Sequence, residues 1–404
     1  MTRICLVCDV FHPSEESTSQ LFTGLLGALA EDGADFDVVT NRFAGGDTEP
    51  AGGAGGPRGV RIHAVGLPIR GRGSLPLRMA RYAAFVVAAT LRLLWLETDR
   101  YWASTNPPFT PIWVAVVALL RRRKFDVIVH DVYPDGLIAV GYLGERSLTA
   151  RAWKSLNRWA FRRATKIAVL GRDMAEVLRD RYAVPSERLV FFPHWSLFDP
   201  AEPLPLAMSR LAHDLDLQGR FVVQYSGNMG LWHDMDSIVE AAALLGDVPQ
   251  VRFLMIGAGR RRTAARRLAA SRGLANITWL DFQPRNDLPN SLACASVSLI
   301  SQRDGLNGMA VPCKLYGILA SGRAVVAAVP EGSEVARVVH EERCGVVVPP
   351  HEPAAIADAI RALASDTATV SEMGRNAFAA YREKYSLAVA RARYRKEWAA
   401  SFDR

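Results

Sequence analysis

The chain has 404 residues, half of them hydrophobic and 22% charged, which excludes a disordered protein and suits two or three domains with cores of their own. A formal net charge of +8 and a pI near 9.4 point to an anionic partner: nucleotide, nucleic acid or membrane surface. The five cysteines (Cys5, Cys8, Cys294, Cys313, Cys344) lie mostly inside apolar runs, and the C-x-x-C of Cys5 and Cys8 falls on opposite faces of a strand, which argues against a redox or zinc pair.

Residues 4–8 predict a buried first strand that ends at Asp9. Asp9 interrupts the apolar run and no small-residue cleavage site follows, so no signal peptide is expected and the expected location is a reducing cytoplasm. An amphipathic helix, QLFTGLLGALAEDG, stops at Gly33, and FDVVT is the second strand, which opens a doubly wound sheet. Residues 44–58 form a glycine-rich loop. Two apolar and basic blocks follow, Leu75 to Trp102 and Phe109 to Lys124. Their apolar runs, roughly 14 and 12 residues, are short of the roughly 20 that span a bilayer. Two readings remain: core helices of the first domain, or helices whose exposed face, with Arg78, Arg81, Arg92 and Arg121–Arg123, also docks on anionic lipid.

FDVIVHDVYPDG is a strand followed by a polar loop carrying His130 and Asp131. A basic helix (Ala152 to Arg163), a strand KIAVLG and a helix capped around Asp173 lead to RLVFFPHWSLF, which closes the first domain near residue 198. Residues 199–218, rich in Pro and Asp, predict an interdomain linker. A second α/β domain is expected over 219–386, followed by a C-terminal helix, 387–404, packing back on the first domain.

In the second domain, FVVQYSG is a strand and Ser226-Gly227-Asn228-Met229-Gly230 is the turn into a helix, where glycines permit close backbone approach to a phosphate. Strand VRFLMI ends in Gly257-Ala258-Gly259, but Arg262 stands where a dinucleotide fingerprint needs its third glycine. Three D-x-D triplets, at Asp35, Asp214 and Asp234, enter a strand, lie in the linker and cap a helix, so no metal site is expected.

The stretch from Ser301 to Glu334 is the most informative. A loop from Gln302 to Val311 precedes Pro312, placed for a first helical turn, then a short helix from Cys313 to Ala320, a C′ glycine at Gly322 and a buried strand AVVAAV. Free amides at that helix start, with Lys314 in its first turn, predict an anion site for a phosphate-bearing ligand. Arg303 is a candidate second cation.

The segment VPCKLYGILASGRAVVA resembles the donor-binding pattern of glycosyltransferase family 4, in particular the bacterial enzymes of exopolysaccharide, O-antigen and colanic-acid type. Cys313 replaces a Ser of that pattern and Ala324 a Pro, and the two family glutamates are Met309 and Gly317 here, as polysaccharide-type members often lack them too. The resemblance spans essentially the whole chain. It implies the GT-B fold, two Rossmann-like doubly wound domains facing a central cleft, and a nucleotide-diphosphate sugar donor. Donor contacts are implied for Gly227, Asn228, Met229, Gly230 and His233, for Arg303, and for Asn307, Gly308, Met309, Ala310, Val311, Pro312, Cys313 and Lys314. His130-Asp131…Pro134 resembles the family's aspartate-x-x-proline segment and implies a catalytic part for both, beside Lys314; Pro-His-Trp at 193–195 resembles its Pro-Asn-Trp. The implied activity is retaining and needs no metal or other cofactor, and the acceptor expected is a lipid-linked glycan at the cytoplasmic membrane surface, with no nucleic acid partner. A GT-B sugar-nucleotide epimerase and a catalytically idle GT-B scaffold are the alternatives.

Overall fold

A computed structural model describes residues 3–14, 16–43, 56–69 and 75–398. It divides into two compact units: Met1–Leu197 with Gly308–Ala310 and Leu387–Arg404, and Phe198–Asn307 with Val311–Ser386.

The first unit follows the order β1 (Arg3–Val7), α1 (Ser17–Glu31), β2 (Asp35–Phe43), β3 (Val60–Ile69), α2 (Leu75–Trp95), β4 (Arg100–Ser104), α3 (Thr110–Leu120), β5 (Lys124–Val129), α4 (Asp135–Ala139), α5 (Leu148–Phe161), β6 (Ile167–Val169), α6 (Arg172–Tyr182) and β7 (Leu189–Phe191). Among the described residues its seven strands form one parallel sheet, β3-β2-β1-β4-β5-β6-β7. Near-continuous apolar runs such as ICLV and DVIV suit strands covered by helices on both faces. Ile4, Leu6 and Cys8 pack with Leu21, Phe22, Leu25 and Leu29 of α1.

The C-terminal helix, labelled α15 in chain order (Leu387–Glu397), completes that layer. Tyr394 and Trp398 stack on each other and pack at a tilt against Phe192 and Trp102. The Trp398 indole N–H donates to Asp126 Oδ2 at 2.7 Å, a fully buried carboxylate that also accepts from Arg100 (2.7 Å) and from the Lys166 amide (2.9 Å). That carboxylate is thus satisfied on every side, as a buried charge must be.

The arginines that the sequence places on an exposed face are largely used inside this unit. Arg121 donates to the carbonyls of Leu94 and Leu96, closing the end of α2; Arg92 lies 2.9 Å from His63 Nδ1; Arg123 faces Asp99 at 3.6 Å. The Arg78 side chain and residues 44–55 of the glycine-rich loop lie outside the described residues. No helix among the described residues is long and apolar enough to cross a membrane.

The second unit runs α7 (Arg210–Asp214), β8 (Phe221–Ser226), α8 (Met235–Leu244), β9 (Val251–Ile256), α9 (Arg262–Ser271), β10 (Ile277–Leu280), α10 (Leu288–Leu292), β11 (Val297–Ser301), α11 (Lys314–Ala320), β12 (Ala324–Ala328), α12 (Glu334–Glu341), β13 (Gly345–Val348), α13 (Pro353–Ser365) and α14 (Thr367–Ala380). Its sheet, again parallel, is ordered β10-β9-β8-β11-β12-β13. Residues 199–218, read from sequence as a linker, are part of this unit. Ser209 caps α7 and donates to the Asn290 carbonyl, while Ala212 and Leu217 pack with Val222, Leu254, Ile256 and Cys294. Four leucines hidden among the prolines and aspartates (Leu206, Leu211, Leu215, Leu217) give that segment a core face.

Candidate active site

In an open parallel sheet, ligands bind beyond the strand C-termini where the strand order reverses, because neighbouring crossovers leave to opposite faces there and open a crevice. In the second unit that point lies between β8 and β11. Beyond β8 the chain turns through Gly227, whose φ of +136° suits glycine. A Cβ there would stand 3.3 Å from Lys314 Nζ, so the amine lies directly under the turn. Gly257, at the end of β9, must also lack a side chain: a Cβ would meet the Gly227 carbonyl oxygen at 2.1 Å. The glycines read from sequence as a broken dinucleotide fingerprint thus serve to back the β8 turn.

Lys314 is the first residue of α11, and its Nζ is buried without a hydrogen-bond partner, 3.6 Å from the centre of the Tyr225 ring. Burial pushes the ammonium down to about 7, against a smaller upward pull from Cys313. Tyr225 is fixed by donating from its hydroxyl to the Asn228 carbonyl at 2.8 Å. Met229 is buried and its amide donates to Ala258 O, and Gly230 accepts from the His233 amide. His233 Nδ1 lies 2.6 Å from the Ser301 carbonyl, so Nδ1 carries the proton and Nε2 keeps a lone pair. Burial, with the neighbouring Lys314, pushes this imidazole down to about 3. Near neutral pH it is therefore uncharged in the unliganded protein.

Ser301 ties the two loops together, since its hydroxyl accepts from Asp234 N and donates to Asp234 O. Asp234 caps α8 through Ser237, the role expected of its D-x-D. The Arg303 amide donates to the Trp232 carbonyl, which holds its loop against the β8 turn. Asn307 Oδ1 is buried without a partner. The entry to α11 differs from the expected one: Pro312 precedes the helix and Cys313 is its N-cap, because Leu315 and Tyr316 donate back three residues in a tight turn before regular pairing begins. Gly322, at φ +62°, terminates it as a C′ residue.

A second set of the sequence candidates gathers in the first unit. Thr105 Oγ1 accepts from the amides of both His130 (2.9 Å) and Asp131 (3.1 Å) at the end of β5. Gly308, Met309 and Ala310 belong here: Val132 donates to the Met309 carbonyl, Asp131 and Ala310 form an antiparallel bridge, and the Gly308 amide donates to Asp173 Oδ2 at 2.8 Å. Burial pushes the Asp131 carboxyl up to about 7 and the His130 imidazole down to about 4. His130 stacks on His194 at 5.3 Å and takes the edge of Phe22 at 5.1 Å, and its Nε2 has no hydrogen-bond partner. Sequence reasoning missed Thr105, Tyr225 and the part of His194; for His194 the signal is Pro-His-Trp, which resembles the family's Pro-Asn-Trp but carries no role for the histidine by itself.

The structure thus assembles Gly227–Gly230, His233 and Lys314 in one unit, with Arg303, Asn307 and Val311–Cys313 on the adjoining loop, and His130, Asp131 and Gly308–Ala310 in the other. Among the described residues no three His, Cys, Asp or Glu side chains converge as a metal-ligand set.

Residues 19–195 match the family profile of a glycosyl transferase 4-like domain, and residues 220–366 that of glycosyl transferases group 1. The chain is 24% identical over 359 residues to a probable glycosyltransferase, WbjE of Pseudomonas aeruginosa, covering 88% of each. It is 25% identical over 260 residues to a putative colanic acid biosynthesis glycosyl transferase, WcaI of Escherichia coli K12, covering 62% of this chain and 63% of that one. Among solved structures, Anabaena HepE in complex with UDP superposes with a TM-score of 0.74 at 14% identity, over 99% of this chain and 100% of that one. WaaG, a glycosyltransferase involved in lipopolysaccharide biosynthesis, superposes at 0.70 with 15% identity, over 97% and 99%. Two parallel α/β units on these templates are the GT-B fold, and with both family profiles matched in order the chain belongs to the group 1, family 4-like glycosyltransferases and is a GT-B glycosyltransferase with relatives in bacterial polysaccharide biosynthesis.

Proposed function

We propose that the protein transfers a hexose from a nucleotide-diphosphate sugar to a lipid-linked glycan acceptor, with retention of anomeric configuration and without a metal ion or other cofactor, on the cytoplasmic face of a membrane. The observation that carries this is Lys314: a buried, unpartnered amine under a glycine turn, at the strand-order reversal of the second sheet. A buried amine with no partner is costly on its own, and a diphosphate supplies the missing counter-charge. The UDP bound to HepE, a structural neighbour, supports a donor of that class.

The chemistry places negative charge on the departing diphosphate. Lys314 would neutralise it, with help from backbone amides of the Gly227–Gly230 turn and the amides entering α11. His233, neutral with a lone pair on Nε2, would donate to the diphosphate only after taking up a proton. Asp131, near half-protonated at neutral pH, is suited to hold the acceptor hydroxyl and receive its proton. His130, neutral and stacked between His194 and Phe22, would position that loop.

The test is turnover of nucleotide-diphosphate sugars with a polyprenyl-diphosphate-linked acceptor, reading the anomeric coupling of the product by NMR. Retention and unchanged turnover in EDTA are expected. Inverted product would overturn the mechanism, and activity lost in EDTA and restored by Mg²⁺ would overturn its metal independence.

A further inference from the structure

Helix α2 is apolar on both sides. Phe85, Ala89 and Leu93 are fully buried, whereas Val87, Leu91 and Trp95, spaced one turn apart, are exposed, Trp95 by 83%. Helix α3 lies beside it and runs the same way, since Tyr82 meets Phe109, Phe85 meets Trp113, and Arg121 reaches the carbonyls of Leu94 and Leu96. Its outer residues Val116, Leu119 and Leu120 are likewise exposed. Six large apolar side chains exposed on two neighbouring helices are more than the scattered singles usual on a surface that faces only water. Where both helices end, Arg122, Arg123 and Lys124 are exposed, with Glu97 and Asp99 the acidic groups in the same rim.

We propose that the α2–α3 face seats in the interfacial layer of a lipid bilayer, with Leu91, Trp95, Leu119 and Leu120 entering the acyl boundary and the rim cations meeting headgroup phosphates. A tryptophan beside basic residues at the edge of an apolar ridge matches the chemistry of that layer. A second copy of the chain, itself carrying a net charge of +8, suits the basic rim less than anionic headgroups do. The arrangement also changes the character of the attachment read from sequence. With Arg121 turned inward and Arg123 facing Asp99, the contact is carried by apolar insertion and resists salt. The inference rests on the membrane-borne acceptor proposed above, and donor binding tests the catalytic reading apart from it.

Vesicle co-sedimentation of the whole protein decides the matter, using phosphatidylcholine alone and with phosphatidylglycerol, at low and at 0.5 M salt (roughly a fourfold shorter Debye length than dilute buffer). Wild type is expected to pellet with both, losing less than about threefold in partitioning at high salt, because apolar insertion is not screened. The double variant Leu91→Glu/Leu120→Glu is expected to lose at least about tenfold on both vesicles. It should keep the wild-type circular dichroism and a cooperative thermal transition of the first unit, which shows that this unit is folded, and keep its nucleotide-diphosphate-sugar affinity by calorimetry. Should that variant fail to fold, the difference in emission between wild type and Trp95→Phe serves instead: it should shift to the blue on vesicles and be quenched by brominated lipid. Wild type that stays in the supernatant, a variant that pellets equally, or a dimer in sedimentation equilibrium that the variant dissociates would each overturn the proposal. Donor affinity surviving any of these leaves the glycosyltransferase reading intact.

Discussion

At the scale of single residues, Lys314 sets a conflict between stability and binding. Its folded-state value of about 7 lies below the ordinary 10.5, so between these the unfolded chain binds the extra proton. Stability contributed by this group therefore rises with pH across that window and is at its lowest below about 7. Lys314→Met should raise the melting temperature of the unliganded protein at pH 6 and flatten the pH dependence, since an apolar chain of similar length removes a buried charge. The same change should weaken nucleotide-diphosphate-sugar binding by roughly 1.5–3 kcal/mol, the range for a charge-assisted contact. In the wild type, binding above pH 7 must draw in a proton, so affinity should fall toward about tenfold per pH unit. Calorimetry in buffers of different ionisation heat would show the uptake; the absence of both effects would remove Lys314 from the donor site. Asp131 follows the opposite logic. Its carboxyl, raised by burial to about 7, makes Asp131→Asn the variant expected to lose about 10²–10⁴-fold in kcat while leaving donor affinity in place. Equal loss in Kd for the donor would instead make it a binding residue.

At the scale of elements, the β8 turn works because three segments each give up something. Gly227 adopts φ +136° above Lys314, Gly257 clears the Gly227 carbonyl, and Ser301 bonds both ways to Asp234. Gly257→Ala should therefore push the turn away from Lys314 through rigid backbone rather than a flexible side chain. We expect a stability loss of about 1–3 kcal/mol together with at least tenfold weaker donor binding. Urea unfolding and calorimetry on one preparation would check it, and a stability loss with donor affinity intact would show that the turn does not touch the ligand. Much of this element was legible in the sequence, because glycines after a buried strand and a proline before a short helix each follow from one local rule. What escaped was set by distant residues. No spacing reveals that Tyr225 lies under the Lys314 amine, that Ser301 fixes the tautomer of His233, or that Met309 and Ala310 pair with the strand end at Asp131. Residues 199–218 were misread for a related reason: composition registers prolines and aspartates, whereas the packing of Leu211, Ala212 and Leu217 depends on β8, β9 and α10.

At the scale of the whole chain, sequence position and structural membership part company at the C-terminus. Helix α15 is separated from the first sheet by the entire second unit, yet belongs to the first unit's core. The sequence suggests a helix there that packs back on the first domain; which groups receive it, a buried carboxylate and three aromatic rings far upstream, is set by the fold. Asp126 is fully buried, and the Trp398 indole is one of its three donors, beside Arg100 and the Lys166 amide. Trp398→Ala removes a donor from that carboxylate and leaves a void against Trp102, Phe192 and Tyr394, so a loss of about 3–5 kcal/mol is expected. Trp398→Phe keeps most of the ring volume and isolates the hydrogen bond, and should cost about 1–3 kcal/mol, the penalty for an under-satisfied buried group. Because the second unit has its own core and contains the β8 turn and Lys314, neither variant should alter donor affinity. Two unfolding transitions are then expected by calorimetry in the Ala variant, the lower one insensitive to nucleotide and the upper one raised by it. A single transition that moves as a whole, and is raised by nucleotide as strongly as in wild type, would mean that the two units unfold as one and that the tail helix supports both.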